Sequence, residues 1–494
     1  GHGGYRRLAE EAILDAGSTA TWKNEHRLPL FLTATCDFAP YDNPLQFSLG
    51  EQVLLMPKAG AIALLTTTRP VFSNSNRIMA NNYLQQAFQR NAAGDYPALG
   101  TAVMNAKNQT YSTLADVANN RKFTLLGDPA LTLAFPKYQV ATTNVNGLPY
   151  TPGADTLSAT KNMVIEGEVR DAQGQLLTNF NGTVFPSVND QPRSTRTLAN
   201  DPASVATTYP DRGNVLFRGK ATVTGGKFSF RFIAPKDMQY APGTGSISYY
   251  AHNENTDAQG LSPIASGGQA NGTATDTEGP DIDIWLNDEK FVHEGITNLF
   301  PLLIVRLSDS SGINTSGWGV GHEITAVLDG RNSTTQVLNP FFETDLDNFR
   351  TGKIKVPLGS LEPGRHEITV KAWDVYNNPS EKTLVFHVTE SNRLTISRVL
   401  NYPNPFTTHT TFWFEHNRPG EDLKVQVQLF TITGKKVKSI EKTINTPGNR
   451  SCDIDWNGKD DYGDRLARGI YIYRLSVQTP DGQKVLKTEK ITIL

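Results

Sequence analysis

The run Leu30-Phe31-Leu32-Thr33-Ala34-Thr35 is apolar or β-branched throughout and is bounded by Pro29 and by Cys36-Asp37, the pattern of a strand buried on both faces. Gly60-Ala61-Ile62-Ala63-Leu64-Leu65-Thr66-Thr67 repeats that pattern. Between them, Glu51 to Pro57 reads as the end of a helix, and Arg6 to Ala16 and Asn76 to Asn91 read as two further helices. Strand, helix and strand in that order predict two parallel strands joined by a right-handed crossover, an α/β unit running from Tyr5 to about Pro136.

After Phe135-Pro136 the period changes to two. Met163 to Val169 and Lys227 to Phe232 alternate between apolar and polar, separated by Gly, Pro, Asn and Asp, which predicts a β-sandwich. It ends near Ser266 to Thr277, a Gly-, Ala-, Thr- and Ser-rich stretch that reads as a linker. A third unit opens at Gly279-Pro280 with Ile282 to Leu286 and closes with His366 to Asp374, again alternating. A last all-strand unit starts near Arg393, with Thr433-Gly434-Lys435-Lys436 as a hairpin turn. The predicted domains are 1–137, 138–277, 278–391 and 392–494, and 494 residues exceed what one core organises.

Composition narrows the function classes. Lys+Arg 47 against Asp+Glu 49 gives a net charge of -2 without a basic stripe, so nucleic acid is not an expected partner. No run of about 20 apolar residues predicts a spanning helix, and the N-terminus lacks a signal-peptide pattern. Gly1-His2-Gly3-Gly4 reads like the middle of a domain, so a longer precursor is expected. Two cysteines, Cys36 and Cys452, encode no disulfide framework.

A nucleophilic cysteine acts as the thiolate and needs a base, usually His, plus donors for the developing oxyanion. Cys36 closes a predicted buried strand, at the carboxyl edge where crevices form in open α/β sheets. His2 precedes two glycines, which admit a close substrate backbone. The chain between His2 and Cys36 has room for a helix and a connection, so two adjacent strand ends could present both side chains on one rim. By residue type alone the pair stays open, because an isolated Cys is most often a small buried hydrophobe and a His beside glycines often serves a loop. The remaining histidines, His26, His252, His293, His322, His366, His387, His409 and His416, have no ligand-like spacing and are expected at the surface or half buried. Asp453, Asp455, Asp460, Asp461 and Asp464 miss the register of a calcium loop and read as a solvated turn, and Asp128 reads as a turn residue. No metal or cofactor is expected.

Gly1-His2-Gly3-Gly4, Leu28 to Cys36, Gly60 to Ala63 and Leu125-Leu126-Gly127-Asp128-Pro129-Ala130-Leu131, in that order and spacing, resemble the gingipain-like (C25) cysteine peptidases. The resemblance implies a partial caspase-like domain over 1–137, with Cys36 as nucleophile, His2 as general base and then acid, and the N–H groups of Gly3 and Cys36 as oxyanion donors. Asn401 to Phe406, Trp456 to Asp460 and Gly469-Ile470-Tyr471 resemble the Ig-like type IX secretion sorting domain of Bacteroidetes surface proteins. Thr33 to Phe38, Thr66 to Arg69 and Gly364 to Asp374 with Asn377-Asn378 point within the family to the sortase, or C-terminal signal peptidase, of that secretion system. The implied architecture is multidomain, a partial α/β caspase-like domain followed by three all-β Ig-like sandwich domains. The implied activity is that of an outer-membrane-associated cell-surface cysteine endopeptidase and transpeptidase of Gram-negative Bacteroidetes. It would cleave secreted proteins ahead of their C-terminal sorting domains through a thioester and transfer them to an amine on anionic lipopolysaccharide, with its own sorting domain docked on a PorV-like outer-membrane β-barrel. A secreted degradative protease and an inactive surface adhesin or scaffold are the alternatives.

Overall fold

Alternate residues of one short strand organise the N-terminal unit of this protein, whose computed structural model describes residues 2–9, 12–200, 204–270, 276–317, 321–389 and 393–494. Gly1 of the glycine motif, residues 271–275 of the predicted linker and residues 390–392 at the last predicted boundary lie outside the described residues. The chain divides into two compact units, Gly1–Lys137 and Tyr138–Leu494.

In the first unit a ribbon of β1 (Arg7–Leu8) and β2 (Leu14–Asp15) leads into the short helix α1 (Ala16–Ala20). There follow β3 (Leu30–Leu32), α2 (Leu49–Leu55), β4 (Ala63–Thr67), α3 (Ser73–Ala87), α4 (Leu99–Leu114), α5 (Val117–Lys122) and β5 (Phe123–Leu126). β4 lies at the centre, parallel to β3 with Leu30 opposite Ala63, and antiparallel to β5. All five of its residues are buried. Leu65 faces the cluster of Met79, Tyr83, Ala102, Ala106 and Phe123 from α3, α4 and β5, whereas Leu64 faces Phe38, Leu49 and Val53 beside α2. The unit therefore has helices on both sides of its sheet, which explains the unbroken apolar runs. α2 starts with a capping box, Ser48 Oγ accepting from Glu51 N at 3.2 Å and Glu51 Oε2 from Ser48 N at 2.9 Å.

The helix expected over Arg6 to Ala16, of which residues 10 and 11 lie outside the described residues, is instead ribbon at Arg7–Leu8 and Leu14–Asp15, and only α1, capped by Asp15 Oδ1 on Ser18 N at 2.7 Å, is helical. Tertiary contact overrides local propensity here. Leu8 and Leu14 pack on the Phe38–Leu49 cluster, and Leu49 N donates to the Tyr5 carbonyl at 2.7 Å, inside the turn that closes between Gly4 and Arg7.

In the second unit, ten strands between Tyr138 and Gln269 belong to one sheet. Its two end strands, Val215–Arg218 and Lys227–Ile233, meet again, with the Phe217 and Phe232 rings 4.7 Å apart. The sandwich expected there is thus a single sheet curled around its own core, as large twisted sheets tend to be. The last strand runs over Asp257–Gln269, so the start of the predicted linker is paired backbone, and Ser266 Oγ donates to Asp190 Oδ1 at 2.8 Å. Small residues suffice there because the ladder bonds need no side chain. From Asp281 to Val388, sheets of four and five strands share one apolar cluster, and from Ile396 to Ile493 sheets of three and four strands share another. Among the described residues, no helix is long and apolar enough to cross a membrane.

The histidines are at the surface or half buried with one exception: His416 is fully buried in the last sandwich, a correction to the sequence reading. Its Nδ1 accepts from Arg418 N at 3.2 Å and its Nε2 lies 3.0 Å from Thr446 Oγ1, so the neutral ring satisfies both neighbours. Burial pushes its pKa down to about 4. The folded value lies below the unfolded one, so the contribution of neutral His416 is complete above about pH 6.5 and is lost as pH falls toward 4, about 3 kcal/mol in all. We expect urea unfolding of this sandwich to show that loss between pH 7 and pH 4, and His416→Gln to flatten it. Equal slopes for both proteins would refute the assignment.

Candidate active site

Cys36 sits at a bend held from β4. Beyond β3, Thr33 N donates to the Leu65 carbonyl at 3.0 Å and Thr33 Oγ1 to Thr66 Oγ1 at 2.7 Å. Thr67 Oγ1 donates to the Thr35 carbonyl. Past the cysteine, Asp37 adopts a left-handed φ of 46°, and Ala39 N returns to the Thr67 carbonyl at 3.1 Å. Phe38, fully buried, anchors the far side of the bend.

The sulfur faces the loop after β4. Val71 N donates to Cys36 Sγ at 3.5 Å, and the Val71 carbonyl lies 3.5 Å from the same sulfur, ready to accept from the thiol. α3 begins two residues later without a side-chain cap, so its N-terminal N–H groups add positive potential at this end of the loop. α5 fastens the loop: Phe72 N donates to Asn119 Oδ1 at 2.9 Å, Lys122 Nζ to the Pro70 carbonyl at 2.6 Å, and Ser75 Oγ to Asp116 Oδ2 at 2.7 Å. Burial raises the pKa of Asp37, opposed by the nearby Arg69 and Lys122 charges.

His2 is exposed and lines the same cavity as Cys36, of about 590 Å³. It does not sit on a strand beside β3, as expected, but ahead of the turn in which Gly4 N donates to the Arg7 carbonyl at 3.1 Å. Gly3 sets this placement. A Cβ there would stand 2.6 Å from Thr35 Oγ1, 3.1 Å from Ala9 N and 3.2 Å from the Arg7 carbonyl, so only glycine lets the His2 segment lie against the residue preceding Cys36. No hydrogen bond joins His2 to Cys36 among the described residues, and the Gly3 and Cys36 N–H groups are without intramolecular acceptors there. A sulfur nucleophile, an imidazole across one cavity and free backbone donors together can support acyl transfer.

Beside Ala34, Val71 and Phe72, the cavity is lined by a stripe of α3 that the sequence reading did not single out: Ser73, Asn76, Arg77, Ala80 and Asn81. Their helical spacing was readable; that they face Cys36 was not. The Gly127-Asp128-Pro129 segment lies elsewhere in the unit. Gly127, at φ 131°, packs on Ala63, and Asp128 Oδ1 accepts from Ala130 N at 2.9 Å, a turn as expected. In the other unit, Asp460 Oδ1 accepts from Tyr462 N and Asp464 N at 2.9 Å, again a turn. Asp276, Asp309 and Asp374 each bring one carboxylate oxygen within 4.8 Å of the others, a grouping not foreseen and separate from the Cys36 cavity. Burial raises the pKa values of Asp309 and Asp374.

Residues 1–134 match the family described as "Peptidase family C25". This segment belongs to that family. Residues 400–492 match the "Secretion system C-terminal sorting domain". The crystal structure of dimeric latent PorU from Porphyromonas gingivalis shares 29% identity over 89% of this chain and 41% of that chain, with a TM-score of 0.35. The crystal structure of the Arg specific cysteine proteinase gingipain R (RGPB) shares 14% over 55% and 52%, with a TM-score of 0.26. The complex of Porphyromonas gingivalis RgpB pro- and mature domains shares 15% over 54% and 52%, with a TM-score of 0.26. No curated protein matches the chain. The chain thus spans well under half the length of the PorU structure.

The approach of Gly3 to Thr35 is directly testable in the C25 segment. Gly3→Ala is expected to cost about 1–3 kcal/mol through overpacking. Combining it with Thr35→Ala should return part of that loss in thermal melts; strictly additive losses would count against the contact.

Proposed function

We propose that this chain carries the catalytic pair of a cell-surface cysteine peptidase and transpeptidase of the type IX secretion system. The observation behind the proposal is the shared cavity of His2 and Cys36, in a C25 segment on a chain that also bears a sorting domain. Cys36 Sγ, as a thiolate with the Val71 N–H as donor, attacks the carbonyl just ahead of a cargo protein's sorting domain. Gly3 N–H and Cys36 N–H receive the oxyanion, and His2 carries the thiol proton to the departing amine. A thioester between cargo and Cys36 results. An amine on anionic lipopolysaccharide then attacks it, forming an amide and restoring the thiol; attack by water gives hydrolysis instead.

In this reading the chain comprises a caspase-like domain over 1–137, the curled-sheet domain over 138–277 and two Ig-like domains over 278–391 and 392–494. The last is retained and docks on an outer-membrane β-barrel. This placement at the surface of a Gram-negative Bacteroidetes cell brings the catalytic cavity to emerging cargo.

In cells, Cys36→Ala is expected to stop release of sorting domains from secreted cargo, and His2→Ala to slow it by about 10²–10⁴. Cargo that continues to lose its sorting domain in the Cys36→Ala strain would overturn the proposal.

A further inference from the structure

We infer that Arg77 makes the Cys36 cavity selective for a substrate side chain bearing a carboxylate beside the scissile bond. The inference rests on the reading of Cys36 as the nucleophile and adds the charge of what enters next to it. The α3 stripe facing the cavity consists of Ser73, Asn76, Arg77, Ala80 and Asn81, at the i, i+3, i+4, i+7, i+8 spacing of one helix face. Four of the five are small or neutral and polar. Arg77 is the cation among them, and none of the described residues lining the cavity is acidic.

Arg77 is also available. It is exposed, its guanidinium donates to Asn74 Oδ1 of its own helix at 3.1 Å, and it has no acidic partner among the described residues. A guanidinium has five N–H donors in a planar fork, so one such bond leaves the pair needed to grip a carboxylate. Among the described residues, Asp116 and Asp37 are otherwise engaged and do not line the cavity: Asp116 accepts from Ser75 and Asn119, and Asp37 lies within the fields of Arg69 and Lys122. Lys122 Nζ stands 5.7 Å from the ring centroid of Phe72, which forms an exposed lip of the cavity, and so adds positive charge at its rim. A lysine or arginine side chain entering here would meet the like charge of Arg77, whereas Asp or Glu would meet a fork.

The test uses the chain as it stands and internally quenched peptides that differ only in the residue supplying the scissile carbonyl: Glu, Gln or Lys. We expect kcat/KM for Glu over Gln of about tenfold, the scale of one charge-assisted contact, collapsing toward unity in Arg77→Gln. In Arg77→Glu the order should invert toward Lys. A Glu to Gln ratio unchanged by Arg77→Gln would overturn the inference. A second readout does not need turnover: the ratio of Cys36 alkylation by iodoacetate to that by iodoacetamide, resolved by mass spectrometry with Cys452 as internal reference. If the parent chain cleaves no peptide yet this ratio falls about tenfold in Arg77→Gln, the anion site stands and the peptidase reading fails. If it cleaves none and the ratio does not move, the Arg77 inference fails as well.

Discussion

The candidate site depends on the carboxyl end of β4, where Thr66 and Thr67 reach across to the segment that carries Cys36. A buried hydroxyl that lost its partner would cost about 1–3 kcal/mol, so the Thr33–Thr66 pair and the bond from Thr67 to the Thr35 carbonyl hold this segment firmly. With Ala39 N returning to Thr67, the chain is pinned before and after the cysteine. Cys36 is left at a tight bend, with its sulfur directed at the Val71 backbone. Leu64 and Leu65, pointing to opposite helical layers, keep β4 from moving and so give the threonines a fixed base.

Around that anchor, the Cys36 cavity is assembled from three short segments that share no secondary structure: the turn ahead of β1, the bend after β3 and the start of α3. Each is held by a different device. Gly3 holds the first by removing a side chain, the threonines hold the second by buried hydrogen bonds, and α5 holds the third through Asn119, Asp116 and Lys122. Segments secured this way can keep a nucleophile, an imidazole and a cation in one cavity without direct bonds between them.

Legibility in the sequence varied with the length scale of the forces. The β4 run was readable because burial on both faces leaves only apolar and β-branched residues, whereas β3, at Leu30–Leu32, is shorter than its run and only half buried. The helices starting at Leu49 and Ser73 were found with ends displaced by a few residues, as expected when caps rather than periodicity define the limits. α4 and α5 left no usable pattern; the buried face of α4 relies on Ala102, Val103, Ala106 and Thr110, small residues that do not stand out. The ribbon of Arg7–Leu8 and Leu14–Asp15 was misread because only the docking of Leu8 and Leu14 on Phe38 and Leu49 selects the extended form.

The sequence by itself determined the change from mixed α/β to all-β near Lys137 and the alternating strands beyond it, and it offered Cys36 and His2 as candidates, with Gly3 added by the family resemblance. These are local properties, since a period of two or a glycine beside a histidine is written in adjacent letters. Tertiary structure alone decided that one sheet would curl where a sandwich was expected, that His416 would be buried and neutral, and that Arg77 would share a cavity with Cys36. Each of those outcomes turns on which distant surfaces meet. Contacts between residues far apart in the chain leave no period in it, so packing rather than pattern had to place them.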